Sequence, residues 1–470
     1  RRAALGGLGG AAAGALLGAV GIKPVGVGAA GGAAVGGGIG LGLGAASAAE
    51  KIPAAGKGAL TFAAATAGQR PTNEVAETVN GIRRRRLGAS GLLVSEIGLG
   101  TQRWGSADFN GPDEALCHAL LDRAVLEGGV NLVDTAEQYP IPSDSRRPEG
   151  FTEEILGRWI QKDKTRRDKL CIATKITGGT NIRRQTLIQD LEGSLRRLQT
   201  SYADVYLLHW PARYTPQSNW GQSLAYDTNL ENPFFASFEE IVGTMGELVQ
   251  AGKIRGYGSC NDNAFGLTMM YETARRLNVP PPCCLQGDFS LVDRKIEENG
   301  VTEASSPLHL NCGFMAYNAL AGGMLTGKYR DVPPGWDDPD EGRGRRSISA
   351  PRGRMDIPGW GYTLYRYQSP AAKRAIEVYA DIAKKNSMSL TELALRWCRE
   401  RQGVTTTLLG VSSMEQLEQD LAFFSGKDRL PRRVMLDIDR QHMVNRLPIF
   451  SNEDLEPNYD QRGLIGERVP

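Results

Sequence analysis

Between residues 96 and 410 the chain alternates two textures. Short unbroken aliphatic runs recur at Glu96–Gly100, Val130–Asp134, Leu170–Lys175 and Asp204–His209. They continue at Ile254–Ser259, Cys283–Gln286, Gly313–Tyr317 and Thr406–Gly410, which makes eight. An unbroken apolar run predicts a parallel strand covered on both faces, since an antiparallel strand with one wet face would alternate. Between the runs, apolar residues fall at helical spacing. Leu116, Leu120 and Ala124 mark a helix over Asp113–Glu127 that Gly128 and Gly129 stop. Ser237–Glu240, Ser389–Glu392 and Ser413–Gln416 read as capping boxes at three helix starts. Eight such runs with intervening helices predict an α/β chain folded as a (β/α)8 TIM barrel. A doubly wound sheet is the alternative, but no G-x-G-x-x-G follows an early strand.

Two segments, Pro211–Ala236 and Gly327–Gln368, are too long for ordinary connections. Both follow strands, so both are expected at the C-terminal mouth. The strands also end on polar groups there: Asp134 with Tyr139 beyond it, Lys175, His209 before Trp210, Ser259 with Asn261, and Gln286. Each alone reads as a cap, a solvated end or a satisfied core residue. The ordered set on consecutive strands predicts a site at one mouth.

Composition narrows the partners. The 55 Lys+Arg against 53 Asp+Glu give +2, so the basic excess of a nucleic-acid binder is missing. Seven Cys form no C-x-x-C pair and only four His are present, which argues against a disulfide framework or a metal site. Cys283 and Cys284 read as buried thiols. The first 50 residues hold 17 Gly and 15 Ala, too little apolar surface to offset ordering entropy. Arg1-Arg2, a mild apolar stretch and Ala46-Ser47-Ala48 resemble a targeting segment, either twin-arginine or an organelle transit region, with an extension carrying no address as the other reading. A plastid or other organelle is then expected, the cytoplasm being the alternative. The chain does not begin with Met, as a fragment or processed form would not. Lys23-Pro24 and the glycines make a membrane span unexpected. Residues 1–80 are taken as leader and linker, 81–470 as the barrel domain, and the basic run Arg83–Arg86 as a solvated face.

Asp134-Thr135-Ala136-x-x-Tyr139, Ala173-Thr174-Lys175, Leu207-Leu208-His209-Trp210-Pro211 and Gly256-x-Gly258-Ser259-x-Asn261 resemble the aldo-keto reductase family. So do Gln286-x-x-Phe289-Ser290-Leu291 and Leu320-Ala321-Gly322-Gly323-x-Leu325-Thr326-Gly327-Lys328-Tyr329. The texture is closest to the family's Tas-like branch. The resemblance covers residues 86–450. It implies reduction of an aldehyde or ketone by NADPH, with Tyr139 as proton donor, Lys175 lowering the phenol pKa, Asp134 holding Lys175 and His209 orienting the carbonyl. It also implies cofactor contacts from Gly100, Thr101, Gln102, Ser259, Asn261 and Gln286. Phe289 would offer its face to the nicotinamide. Tyr317, Asn318, Ala319, Leu320, Gly322 and Lys328 would lie along the pyrophosphate. Gly410, Ser412, Gln416, Gln419 and Asp420 would take the adenosine end. Gln416 and Asp420 stand where the family has Arg and Asn, which weakens the expected 2′-phosphate and adenine contacts. No metal is required.

The partner expected is a small carbonyl compound. Trp104 and Trp210, with Trp220, Tyr226, Phe234 and Phe235 of the long loop, are a candidate aromatic pocket, or simply pack that loop. A second reading is a nucleotide-binding scaffold subunit in a homo-oligomer or larger assembly, like the potassium-channel β subunits. A hydrolase or lyase using Asp134 and Glu137 lacks a defensible paired-carboxylate geometry.

Overall fold

The computed structural model describes residues 60–107, 111–215, 226–330, 353–356, 364, 367, 369–426 and 428–449. The leader, its targeting features and Trp220 lie outside these residues.

Eight parallel strands close a barrel. They are β4 (Ile97–Gly100), β5 (Leu132–Asp134), β6 (Cys171–Ile176), β7 (Ala203–Leu208), β8 (Ile254–Cys260), β9 (Cys284–Asp288), β10 (Gly313–Tyr317) and β11 (Thr406–Leu409). Each coincides with one of the eight aliphatic runs. The cause is burial on both faces: every residue of β6 and β7 is buried. Inside the barrel, Leu132, Ala173, Val205, Leu207, Cys284 and Met315 pack together. Outside, a second layer joins Ile97, Val133, Ile172 and Phe314 to the surrounding helices.

The three capping boxes form as expected at their serines. Ser237, Ser389 and Ser413 each accept from the backbone N–H three residues on, capping helices Phe238–Gln250, Leu390–Glu400 and Met414–Ser425. Asp113 caps Glu114–Leu121, which passes into a π-helical turn, Asp122–Glu127.

The segment before the barrel departs from the linker reading. Residues from Leu60 onward belong to the same compact unit as the barrel. An antiparallel sheet, β1 (Val75–Val79), β2 (Ile82–Arg86) and β3 (Leu93–Ser95), leads straight into β4. The arginine run is β2 rather than a solvated face. Arg85 is buried and donates to the carbonyls of Val404 (2.6 Å) and Arg399 (3.1 Å) and to Glu96 Oε2 (3.1 Å). Glu96, also buried, takes Arg83 at 2.8 Å and Arg399 at 3.3 Å. A buried guanidinium is tolerated because both of its terminal nitrogens find acceptors, Nε alone having none. Those acceptors lie far off in the chain, out of reach of local composition. At Gly88 the hairpin touches the barrel: φ is +53° and a Cβ there would meet the Cys283 carbonyl oxygen at 2.2 Å, so only glycine fits.

Candidate active site

Closure of the barrel brings the polar strand ends to one mouth. In register, Asp134 stands beside Ala173 and Gly100, Leu208 beside Ser259, and Cys260 beside Gln286. Lys175 Nζ donates to Asp134 Oδ1 at 2.5 Å and to the Thr135 carbonyl at 2.8 Å. It lies 5.1 Å from the centre of the Tyr139 ring. His209 meets that ring edge-on, with 5.6 Å between centroids. Asp134, Tyr139, Lys175 and His209 are thus one cluster, and all four are buried.

The loop carrying Tyr139 is pinned by its backbone. Tyr139 N–H donates to Ala136 at 3.1 Å and its carbonyl accepts from Gly150 at 2.9 Å. Glu137 Oε1 accepts the Thr177 N–H at 2.6 Å, tying the loop to the end of β6. Burial, with Asp190 nearby, lifts the Glu137 carboxyl to about 7.

The electrostatics differ in one respect from the expectation for Tyr139. Burial raises its phenol to about 12, and the Lys175 charge opposes that rise without overcoming it. The ammonium acts in the expected direction, but desolvation is larger, so the phenol holds its proton through neutral pH. Burial works against the Lys175 charge, yet Asp134 and the other groups around it raise its pKa. Burial, then the Lys175 charge, keeps His209 well below its ordinary value and neutral.

Several other expected contacts are redirected. Phe289 is fully buried, stacked on Trp397 at 5.0 Å and edge-on to Phe314 at 6.1 Å; its ring belongs to the layer between barrel and helices and offers no face at the mouth. Trp104 is 1% exposed within that same layer, so it is core rather than pocket wall. Gln286 gives its amide to Asp134 Oδ2 at 2.7 Å. Asn261 donates to the His209 carbonyl at 3.0 Å and accepts from the Tyr317 hydroxyl at 2.5 Å. Trp210 stays half-buried, its ring 6.3 Å from that of His209 and nearly parallel to it. In the long loop Phe234 and Tyr226 are exposed.

The remaining candidates ring the mouth. Gly100 ends β4, and Thr101 just beyond it donates its N–H to the Asp134 carbonyl at 3.0 Å. After β10, Asn318 takes a left-handed φ of 56° and donates to Asp288 Oδ2 at 3.3 Å. Ala319 is buried and Leu320 half-buried. Gly322 and Gly323 have φ of 65° and 102°, conformations that suit glycine, and Lys328 is exposed beside them. Gly410, Gln416 and Gln419 are exposed and Ser412 half-buried, whereas Asp420 turns inward, its carboxyl raised by burial to about 7.

Asp288, Tyr367, Arg354 and Cys260 were missed by the sequence reading. Asp288 accepts from the Tyr367 hydroxyl, Arg354 donates to Gln102 Oε1 at 3.0 Å, and Cys260 donates to Gln286 at 3.5 Å. Tyr367 and Arg354 sit in a long segment without a periodic pattern, so nothing local signals them.

Two buried polar atoms at this mouth, Ser259 Oγ and His209 Nδ1, have no hydrogen-bond partner. Buried polar atoms are ordinarily satisfied, so both suit a site that takes a polar ligand. Among the described residues no group of three His, Cys, Asp or Glu is arranged to hold a metal, and no helix is long and apolar enough to cross a membrane.

The aldo/keto reductase family model matches residues 96–440. The chain is also similar to Protein tas of Escherichia coli (strain K12) and to Protein tas of Shigella flexneri. Each is 32% identical over 376 residues, covering 77% of this chain and 98% of the relative.

Proposed function

This chain belongs to the aldo/keto reductase family and is an oxidoreductase of that class, and from that premise we propose that it reduces an aldehyde or ketone carbonyl with NADPH, Tyr139 supplying the proton. The observation that carries the reading is the cluster itself: a protonated phenol, a buried ammonium 5.1 Å from its ring and a neutral imidazole at one barrel mouth. When bound, NADPH supplies the hydride.

The chain's own residues do the rest. Negative charge developing on the substrate oxygen draws the Tyr139 proton, and Lys175 stabilises the phenolate left behind. Asp134 and the Thr135 carbonyl hold the ammonium in place, so no buried charge is left unpaired. Neutral His209 donates one hydrogen bond to the substrate oxygen and orients it without competing as an acid. Ser259, with its unpartnered hydroxyl, and Asn261 would meet the carboxamide. Lys328, Asn318 and the Gly322–Gly323 turn would meet the pyrophosphate. Gly410, Ser412 and Gln416 would meet the adenosine phosphate beside a helix N-terminus. With Phe289 in the core, half-buried Tyr317 is held by Asn261, to which it donates its hydroxyl.

The test is NADPH oxidation against a panel of aldehydes and ketones. Tyr139→Phe is expected to lose roughly 10²–10⁴ of the turnover while binding NADPH like wild type. Unchanged turnover in that variant removes Tyr139 from the chemistry.

A further inference from the structure

Glu137 stands two residues before Tyr139, and it meets β6 on both sides of Lys175. Its N–H donates to the Lys175 carbonyl at 3.2 Å, continuing the pairing in which the Thr135 N–H donates to the Ala173 carbonyl at 2.8 Å. Its Oε1 accepts the Thr177 N–H at 2.6 Å. Thr177 lies just past the end of β6, and the acceptor its N–H meets is a side chain instead of a main-chain carbonyl. The main chain after Glu137 is therefore released from the sheet and turns. The Tyr139 N–H closes that turn on the Ala136 carbonyl at 3.1 Å, and the Tyr139 ring comes to lie 5.1 Å from Lys175 Nζ. Lys175 grips the same loop itself, its Nζ donating to the Thr135 carbonyl at 2.8 Å. Of these ties between the loop and β6, the one made by the Glu137 carboxylate can be removed by substitution without touching Lys175 or the main chain.

We infer that Glu137 is a positioning residue for the proton transfer: by taking the Thr177 N–H it fixes the loop against the end of β6 and so sets the Tyr139 phenol at its distance from the Lys175 ammonium. The inference rests on Tyr139 being the proton donor. Stabilisation of the phenolate by the ammonium falls with their separation, and a misplacement of about 1 Å costs on the order of 100-fold in rate. The groups facing the Glu137 carboxyl are Asp190 of the helix Arg184–Leu198, Glu153 of the helix Phe151–Gln161 and Tyr206 of β7; Glu153 is itself paired with Arg197 at 2.7 Å. An amide in place of this carboxyl keeps the acceptor and removes the charge, which makes Glu137→Gln the control for geometry against electrostatics.

Three variants test the role at mildly alkaline pH, with kcat at saturating NADPH, the KM for an aldehyde and the NADPH dissociation constant read separately. Glu137→Leu deletes the acceptor and is expected to lose about 10–100-fold in kcat, with the dissociation constant within about twofold of wild type. Glu137→Gln is expected to recover kcat to within about threefold. Glu137→Asp, whose carboxylate is one methylene short of the Thr177 N–H, should fall between the two, and it serves where the Leu variant does not fold. Wild-type kcat in the Leu and Asp variants overturns the inference. So does a loss confined to KM or to NADPH binding, or a Gln variant as slow as the Leu variant, which would make the charge the important property. Hydrogen exchange at the Thr177 amide reads the tie without turnover: slow in the wild type and in Glu137→Gln, faster in Glu137→Leu. Equal protection in all three overturns the contact. A wild type inactive on every carbonyl, with the expected exchange pattern, instead overturns Tyr139 as proton donor and leaves the tie between loop and strand standing.

Discussion

Asp134→Ala probes an ion pair buried at the barrel mouth. Lys175 is fully buried and its partner nearly so. At 2.5 Å and an effective dielectric constant of about 20, their attraction is roughly 7 kcal/mol, set against the desolvation of two ions. Deleting Asp134 removes the attraction and leaves the ammonium in place. The Thr135 carbonyl remains as an acceptor, but a neutral dipole does not replace a carboxylate. The expected loss is about 3–5 kcal/mol, read as the shift of a urea denaturation curve near neutral pH. The double variant Asp134→Ala/Lys175→Met removes both charges and is expected to recover most of that loss. The pH dependence gives a second check. In the wild type, Lys175 is raised above its unfolded value, so its contribution is complete below the unfolded pKa and is lost as pH rises through the folded one. Without Asp134, burial dominates and depresses the folded pKa, so the variant becomes more stable as pH rises. Opposite slopes on the alkaline side are therefore expected. A loss below about 1 kcal/mol, or parallel slopes, would refute the view that this pair carries a buried charge.

The Tyr139 phenol near 12 means that reduction should keep its proton donor across neutral pH. Turnover should decline only as strongly alkaline pH removes that proton, and Lys175→Met should move the decline further up, as a pH–kcat profile will show. Phe289→Ala should cost about 3–5 kcal/mol through a core cavity and leave NADPH affinity within about twofold, since the ring lies behind the barrel wall. Glu96→Ala leaves Arg83, Arg85 and Arg399 without their shared carboxylate. It should lower stability by about 3–5 kcal/mol, measured by denaturation, far beyond what a solvated basic run would allow.

All eight barrel strands were legible in the sequence because a strand covered on both faces carries a mostly apolar run without the alternation of a half-wet strand. The serine caps were legible for a similar reason: the cap and the N–H it satisfies lie three residues apart. The cluster of Asp134, Tyr139, Lys175 and His209 could be read from motif spacing, since Asp134, Lys175 and His209 sit where their strands end and Tyr139 follows Asp134 in the next loop. What lay beyond the sequence is set by partners distant in the chain. Four consecutive arginines look solvated until Glu96 takes Arg83 and Arg85 and the carbonyls of Arg399 and Val404 accept from Arg85. Phe289 and Trp104 look available until the helices bury them. Gln286 and Gln102 gain their fixed partners only once the barrel closes, Gln286 donating to Asp134 and Gln102 accepting from Arg354. Local pattern determines which segments become strands and helices, because backbone geometry and burial repeat over a few residues. Which polar group meets which, and whether burial or a neighbouring charge sets a pKa, follows from distances that exist only once the barrel has closed.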